Sequence, residues 1–204
     1  TVFVLVFIIW SLQTQKKRQL LHRLFILVGV SYVWWVIPLI GLHYARNADE
    51  SVIYFLDCLL QPGGVMCSPL FFCMSLTFVM GYERAPKWMY AVFIVPVLTI
   101  IIAWTNPLHH LYYAQFSILR SQLVFGPYMW FSAGYNYILS VIALVYLVVY
   151  GLRSRSKLYW RQCILFSIGS LIPLVVNCYA TLSGREVSIT ATPMSFMVTV
   201  FLHG

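Results

Sequence analysis

The sequence predicts an all-α integral membrane protein, a bundle of seven transmembrane helices. Of its 204 residues, 61% are apolar and only 9% are charged, against about 45–50% and about 25% in an average soluble domain. The mean hydropathy is +0.84, so there are too few charges to cover a water-soluble surface. At ~20 residues per span, the chain has room for about seven crossings with short loops. We therefore expect 1–204 to form a single membrane domain, with any cytoplasmic output domain missing from this chain.

Six polar breaks divide the chain into seven apolar runs. The runs are Thr1–Leu12, Leu20–Leu42, Ser51–Gly81, Trp88–Trp104, Tyr128–Leu152, Leu158–Leu182 and Thr190–Gly204. Twelve helical residues, the length of the first run, reach only about 18 Å across a hydrocarbon core of ~30 Å. The last run stops without a charged flank. We expect the first and last helices of the bundle to be truncated.

Basic residues alternate between the two sides of the predicted bundle. The odd-numbered loops and their flanks contain Lys16, Lys17, Arg18, Arg23, Arg84, Lys87, Arg153, Arg155, Lys157 and Arg161, whereas the even-numbered loops contain Arg46, Arg120 and Arg185. Loops rich in Lys and Arg stay in the cytoplasm, which predicts an N-terminus outside and a C-terminus inside. The net charge of +8 therefore indicates a lipid bilayer as partner, and no nucleic acid.

One predicted outer loop, between the fourth and fifth spans, is unusually long and apolar. The segment Thr105–Pro127 contains a single charge, Arg120, and alternates apolar and polar residues from Ser117 to Val124. Alternation of this kind predicts a short β-hairpin, which would cover the outer face as a lid. The alternative is that its aromatic residues lie in the headgroup interface as an aromatic belt.

Two features of the third run are candidates for function. Asp57 is the one acidic residue well inside an apolar run. It is either a ligand anchor in a pocket or a carboxylate at the membrane interface. The scarcity of ionisable residues inside the runs argues against a pump or a voltage sensor. Pro62-Gly63-Gly64 predicts a kink or break in the helix. That interruption would be a hinge in a sensor, a substrate site in a transporter, or a means of shortening a long helix.

Polar and aromatic residues gather on the predicted outer side, where they would suit a small, neutral or weakly cationic, largely apolar ligand. The candidate ligand-binding residues are Asp57, Asn106, His109, Trp130, Tyr135, Asn136, Asn177 and Thr192. The aromatic residues could instead belong to an interfacial belt, and the two span amides Asn136 and Asn177 could join helices. The five Cys are interpreted as packing residues. No catalytic, metal or cofactor site is predicted.

Several stretches together resemble the seven-transmembrane N-terminal sensor region of bacterial histidine kinases. They are Phe78–Arg84, Trp104–Tyr112 with its Asn-Pro-x-His motif, Gly126–Trp130, Tyr135–Tyr137, Tyr159–Asn177 and Thr190–Phe196. The resemblance implies a module that is not itself catalytic and that signals through its seventh helix to a cytoplasmic histidine kinase or diguanylate cyclase. It also implies a homodimer in the full-length protein and a place in the bacterial inner membrane. The rival hypothesis is a small-solute transporter or channel.

Overall fold

The computed structural model describes residues 20–45, 47–117 and 122–154 continuously, and single positions between 157 and 179. The first and seventh apolar runs lie outside the described residues, as do the candidate site residues Asn177 and Thr192. Their predicted roles stay predictions.

Four helical segments are long and apolar enough to cross a membrane, and they coincide with the second to fifth apolar runs. The helices are α1 (Leu20–Tyr44), α2 (Glu50–Met80), α3 (Lys87–Ala91), α4 (Ile94–Trp104), α5 (Asn106–His109) and α6 (Pro127–Arg153). Helices α3 and α4 together make one span, Lys87–Trp104. The predicted helical membrane architecture is confirmed for these runs, while the count of seven spans and the orientation remain predictions.

Helix α2 is the centre of the described bundle and packs against α1, α4 and α6. Its most apolar stretch is 56% buried, compared with 33% or less in the other three spans. At one end of α2 a large apolar cluster joins the helices. Its buried members are Leu24, Leu70, Phe72, Cys73, Met74, Leu76, Met89, Leu139 and Ala143. The described cysteines, Cys58, Cys67, Cys73 and Cys163, are all buried and free, in keeping with the packing role expected of them.

Of the kink or break expected at Pro62–Gly64, the break is not present, since α2 is helical without interruption from Glu50 to Met80; the kink stays a prediction. Gly63 instead allows a close approach between helices: a Cβ atom there would lie 2.6 Å from the Cα of Trp35 on α1. Small residues permit such contacts between membrane helices. Two α1 side chains also donate hydrogen bonds to α2 carbonyls, Ser31 Oγ to Gly63 O at 2.8 Å and Trp34 Nε1 to Leu59 O at 2.9 Å.

The segment Thr105–Pro127, which we call the long loop, contains the predicted two-stranded hairpin. Strands β1 (Tyr113–Gln115) and β2 (Val124–Phe125) pair antiparallel, with a register shift between Tyr113 and Gln115. The strands flank most of the alternating stretch from which the hairpin was predicted, and residues 118–121 lie outside the description. The hairpin returns the chain to the start of α6, next to the end of α5.

Candidate functional site

Four polar side chains join the long loop to α2, and we call this group the polar lock: Asp57, Gln61, Tyr112 and Tyr113. The Tyr113 hydroxyl donates to Asp57 Oδ2 at 2.6 Å, and the Tyr112 hydroxyl donates to Gln61 Oε1 at 2.8 Å. Gln61 Nε2 donates to both Asp57 Oδ2 and the Tyr113 hydroxyl, each at 3.3 Å. Asp57 and Gln61 lie one helical turn apart, so both face the same loop segment.

The lock is shielded from water on its loop side. Tyr112 is 6% exposed, Tyr113 4% and Gln61 7%. Burial raises the pKa of both loop phenols above the ordinary value, and the negative charge of Asp57 raises it further. Both phenols therefore remain protonated donors at neutral pH. Polar groups satisfied in this way rigidify a structure, whereas an unpaired buried group is costly.

Asn106 fixes the loop backbone that presents the two tyrosines. Its Oδ1 atom accepts hydrogen bonds from the backbone N–H groups of Tyr112 (2.8 Å) and Tyr113 (2.9 Å), and its Nδ2 donates to the Tyr113 carbonyl at 3.0 Å. The side chain is 3% exposed. A second contact at this end joins α2 to the end of α4, where the Tyr54 hydroxyl donates to Ala103 O at 2.6 Å. Asn106 thus acts through the backbone of the lock.

Two of the candidate ligand-binding residues therefore meet at the lock, Asp57 as a member and Asn106 as its support. His109 lies nearby but interacts locally: Nε2 is 3.0 Å from Thr105 Oγ1, and Nδ1 accepts from the Leu111 N–H at 3.0 Å. Both ring nitrogens are thus occupied within the turn that follows α4. Among the described residues no group of three or more metal-ligating side chains is found.

The other described candidates lie on α6, and none of them is a member of the lock. Trp130 is 47% exposed and contacts Phe125 edge to face at 6.0 Å, as an interfacial aromatic would. The Tyr135 hydroxyl donates to Val92 O at 2.7 Å, and the ring packs against the large apolar cluster. Trp130 therefore lies one ring away from the lock, because Phe125 also contacts Tyr113 at 6.0 Å between centroids, whereas Tyr135 packs on the apolar cluster.

Asn136 lies one helical turn beyond a polar seam between α4 and α6. Thr99 Oγ1 lies 2.9 Å from Ser132 Oγ and 3.4 Å from the Tyr128 hydroxyl. One turn further along α6, Asn136 Nδ2 donates to Ser132 O at 2.9 Å, while its buried Oδ1 has no partner among the described residues. The hydroxyls of Thr99, Ser132 and Tyr128 fit the role of polar groups that join membrane helices, whereas the hydrogen bond of Asn136 stays within α6.

Sequence reasoning missed Gln61, Tyr112 and Tyr113. Gln61 follows Asp57 by four residues inside an apolar run, a spacing that places both on one helix face, so the signal was present. The two tyrosines carried no such signal, because 51 and 52 residues separate Gln61 from Tyr112 and Tyr113.

The family model for the N-terminal 7TM region of histidine kinase matches residues 1–204. The chain belongs to this family. The 7TM region is the non-catalytic, membrane-spanning part of a histidine kinase, so the chain is a multi-pass membrane sensor module. The chain matches no curated protein and no solved structure.

Proposed function

We propose that this 7TM region detects a small extracellular or membrane-borne molecule and passes the signal through its seventh span to a cytoplasmic kinase domain. The observation that carries the proposal is the match of the whole chain to the N-terminal 7TM region of histidine kinase. The ligand is small, neutral or weakly cationic and largely apolar. The full-length protein works as a homodimer in the bacterial plasma membrane.

The distribution of basic residues supports an outside N-terminus and an inside C-terminus. Two contacts help to relate the described loops to this orientation. The Tyr54–Ala103 hydrogen bond joins the start of α2 to the end of α4, and a ring contact of 6.0 Å between Phe78 and Tyr150 joins the ends of α2 and α6. Arg84 and Arg153 lie close in sequence to Phe78 and Tyr150. Their positive charge favours a cytoplasmic position for the end of the bundle where α2 and α6 terminate. The polar lock then belongs to the outer half.

The lock suits a sensor because it joins a loop at the outer end to the central helix. A ligand shifts a conformational equilibrium only if it binds two arrangements with unequal affinity. A hydrogen bond to a charged group contributes about 1.5–3 kcal/mol, which is enough to bias such an equilibrium roughly tenfold or more. We propose that α2 carries the state of the lock toward the cytoplasmic ends of the bundle.

The transporter hypothesis depended on an interruption of the third run near the membrane midplane. Helix α2 is continuous through Pro62–Gly64, and Gly63 is occupied in helix packing against Trp35. The feature that favoured transport therefore has another physical role, and we retain the sensor alone.

The experiment compares Tyr113→Phe with Tyr90→Phe in the full-length kinase reconstituted in lipid nanodiscs. The first change removes the donor to Asp57, while the second removes a hydroxyl from a residue that is 68% exposed on α3. We expect faster hydrogen exchange in the long loop and a change of about threefold or more in basal autophosphorylation for Tyr113→Phe only. Kinase output equal in both variants, despite a loosened loop, would contradict the proposal.

A further inference from the structure

An open groove lies between the first turns of α2 and the long loop, beside the polar lock. Its volume is about 390 Å³, and its walls include Glu50, Tyr54, Asn106, His110 and Phe116. Pockets for small molecules measure roughly 300–1,000 Å³, so the groove has the size for a compact ligand. None of its residues was predicted to bind a ligand except Asn106.

One carboxylate, that of Glu50 in the first turn of α2, lines the groove. Three of the five acidic residues of the chain fall between Asp49 and Asp57. Asp49 occupies the N-cap position of α2, yet its side chain makes no capping hydrogen bond. No hydrogen bond or ion pair of Asp49 or Glu50 is found within the described part of the chain, which omits Arg46. The Glu50 side chain is exposed and lines the groove, where a ligand can reach it.

Aromatic rings form the apolar part of the groove. Tyr54 and Phe116 meet edge to face, with ring centroids 5.0 Å apart. Aromatic faces attract cations in addition to offering apolar contact. We propose that the groove binds a small organic cation, an amine with an apolar body, whose ammonium group faces Glu50 and whose body contacts Tyr54 and Phe116. This assignment rests on the proposed sensor function and names its ligand class.

An occupant of the groove would touch residues that support the lock. Phe116 contacts the ring of Tyr113 at 5.3 Å between centroids, and Tyr113 donates to Asp57. Asn106, which lines the groove, holds the backbone of Tyr112 and Tyr113. Displacement of Phe116 by a ligand would therefore reach Asp57 through one intervening residue.

The test uses three soluble probes that share a phenyl group and differ in charge: 2-phenylethylamine, 2-phenylethanol and 3-phenylpropanoate. Binding is measured by saturation-transfer NMR on the full-length protein in nanodiscs of uncharged lipid. We expect the amine to bind about twofold to fivefold more tightly than the alcohol, as for a partly exposed ion pair. The carboxylate should bind most weakly.

Glu50→Gln should remove the preference for the amine over the alcohol, whereas Glu83→Gln, an exposed carboxylate beyond the other end of α2, should keep it. Phe116→Ala should weaken the amine and the alcohol alike. Equal binding of all three probes, or an amine preference that survives Glu50→Gln, would overturn the assignment. Because a carboxylate in the first turn also stabilises the helix, unfolding of both Glu variants is measured in parallel.

Two results separate this inference from the proposed function. Amine binding that depends on Glu50 without any change in autophosphorylation would leave the groove assigned and refute its role in sensing. Altered kinase output in Tyr113→Phe, together with no amine preference in the wild type, would leave the sensor function standing and refute the cationic ligand.

Discussion

Adjacent glycines in α2 allow a stringent test of the helix packing. A Cβ added at Gly63 would lie 2.6 Å from Trp35 Cα and 2.7 Å from Trp35 Cβ, whereas one added at Gly64 would approach only the Trp35 side chain, at 3.6 Å from Nε1. The first position is too close for real atoms and the second is an ordinary contact. Gly63→Ala should therefore force α1 and α2 apart, and Gly64→Ala should not.

The size of the difference follows from two opposing terms. Alanine in place of glycine favours a helix interior by about 0.8–1.0 kcal/mol, and this gain applies to both variants. Overpacking a tight contact costs roughly 1–3 kcal/mol, and only Gly63→Ala incurs it. Separation of the helices would also weaken the Ser31–Gly63 hydrogen bond, for which membrane proteins show about 0.6 kcal/mol on average. Gly63→Ala should be less stable than Gly64→Ala by roughly 1–3 kcal/mol.

The assay is reversible unfolding of the purified protein in mixed micelles titrated with sodium dodecyl sulfate, followed by far-ultraviolet circular dichroism. Gly64→Ala should unfold at the wild-type detergent fraction or above it, and Gly63→Ala should unfold below it. If the two variants unfold together, Gly63 does not mediate the close approach, and its role as a hinge returns for consideration.

Three further predictions follow from the loop and the charge distribution. Asn106→Ala removes three hydrogen bonds and should speed backbone hydrogen exchange in the long loop at least about tenfold, since each bond contributes about 0.5–1.5 kcal/mol; unchanged exchange would show that the strands alone hold the loop. The raised pKa values of Tyr112 and Tyr113 mean that their neutral forms stabilise the fold below pH 10.0 and that this stabilisation is lost as pH rises above it. The absorbance of tyrosinate at 295 nm is titrated against pH in the wild type and in the double variant Tyr112→Phe/Tyr113→Phe. The two curves should differ only well above pH 10.0, and a difference near pH 10.0 would contradict the burial of the two phenols. A membrane-impermeant maleimide should label Asn47→Cys and spare Ser154→Cys in intact cells, and the reverse pattern would invert the proposed orientation.

Composition and polar breaks predicted the described helices well, because lipid requires long uninterrupted apolar segments. A hairpin was predicted in the correct loop, but its strands, Tyr113–Gln115 and Val124–Phe125, lie mostly outside the alternating stretch Ser117–Val124. Asp57 was found because a carboxylate in an apolar run is costly and needs a reason. In each case the signal is local, or depends on the membrane as solvent.

Contacts between distant parts of the chain were beyond the same reasoning. Gly63 suggested flexibility, whereas its position against Trp35 requires knowledge of which helix packs beside it. Tyr113 carried no mark of its bond to Asp57, because the two residues are 56 positions apart. The groove likewise arises only when Phe116 folds back onto Tyr54.

The central claim is that the bond between Tyr113 and Asp57 sets the output of the attached kinase. The most direct measurement is a double-mutant cycle on autophosphorylation of the full-length protein in nanodiscs, with Asp57→Asn, Tyr113→Phe and the pair. Both changes disturb the Tyr113–Asp57 hydrogen bond, and each also alters a bond to Gln61. The effect of the double variant should therefore be smaller than the sum of the two single effects. Effects that add fully, or single variants that open the long loop in hydrogen exchange yet keep wild-type autophosphorylation, would contradict the account.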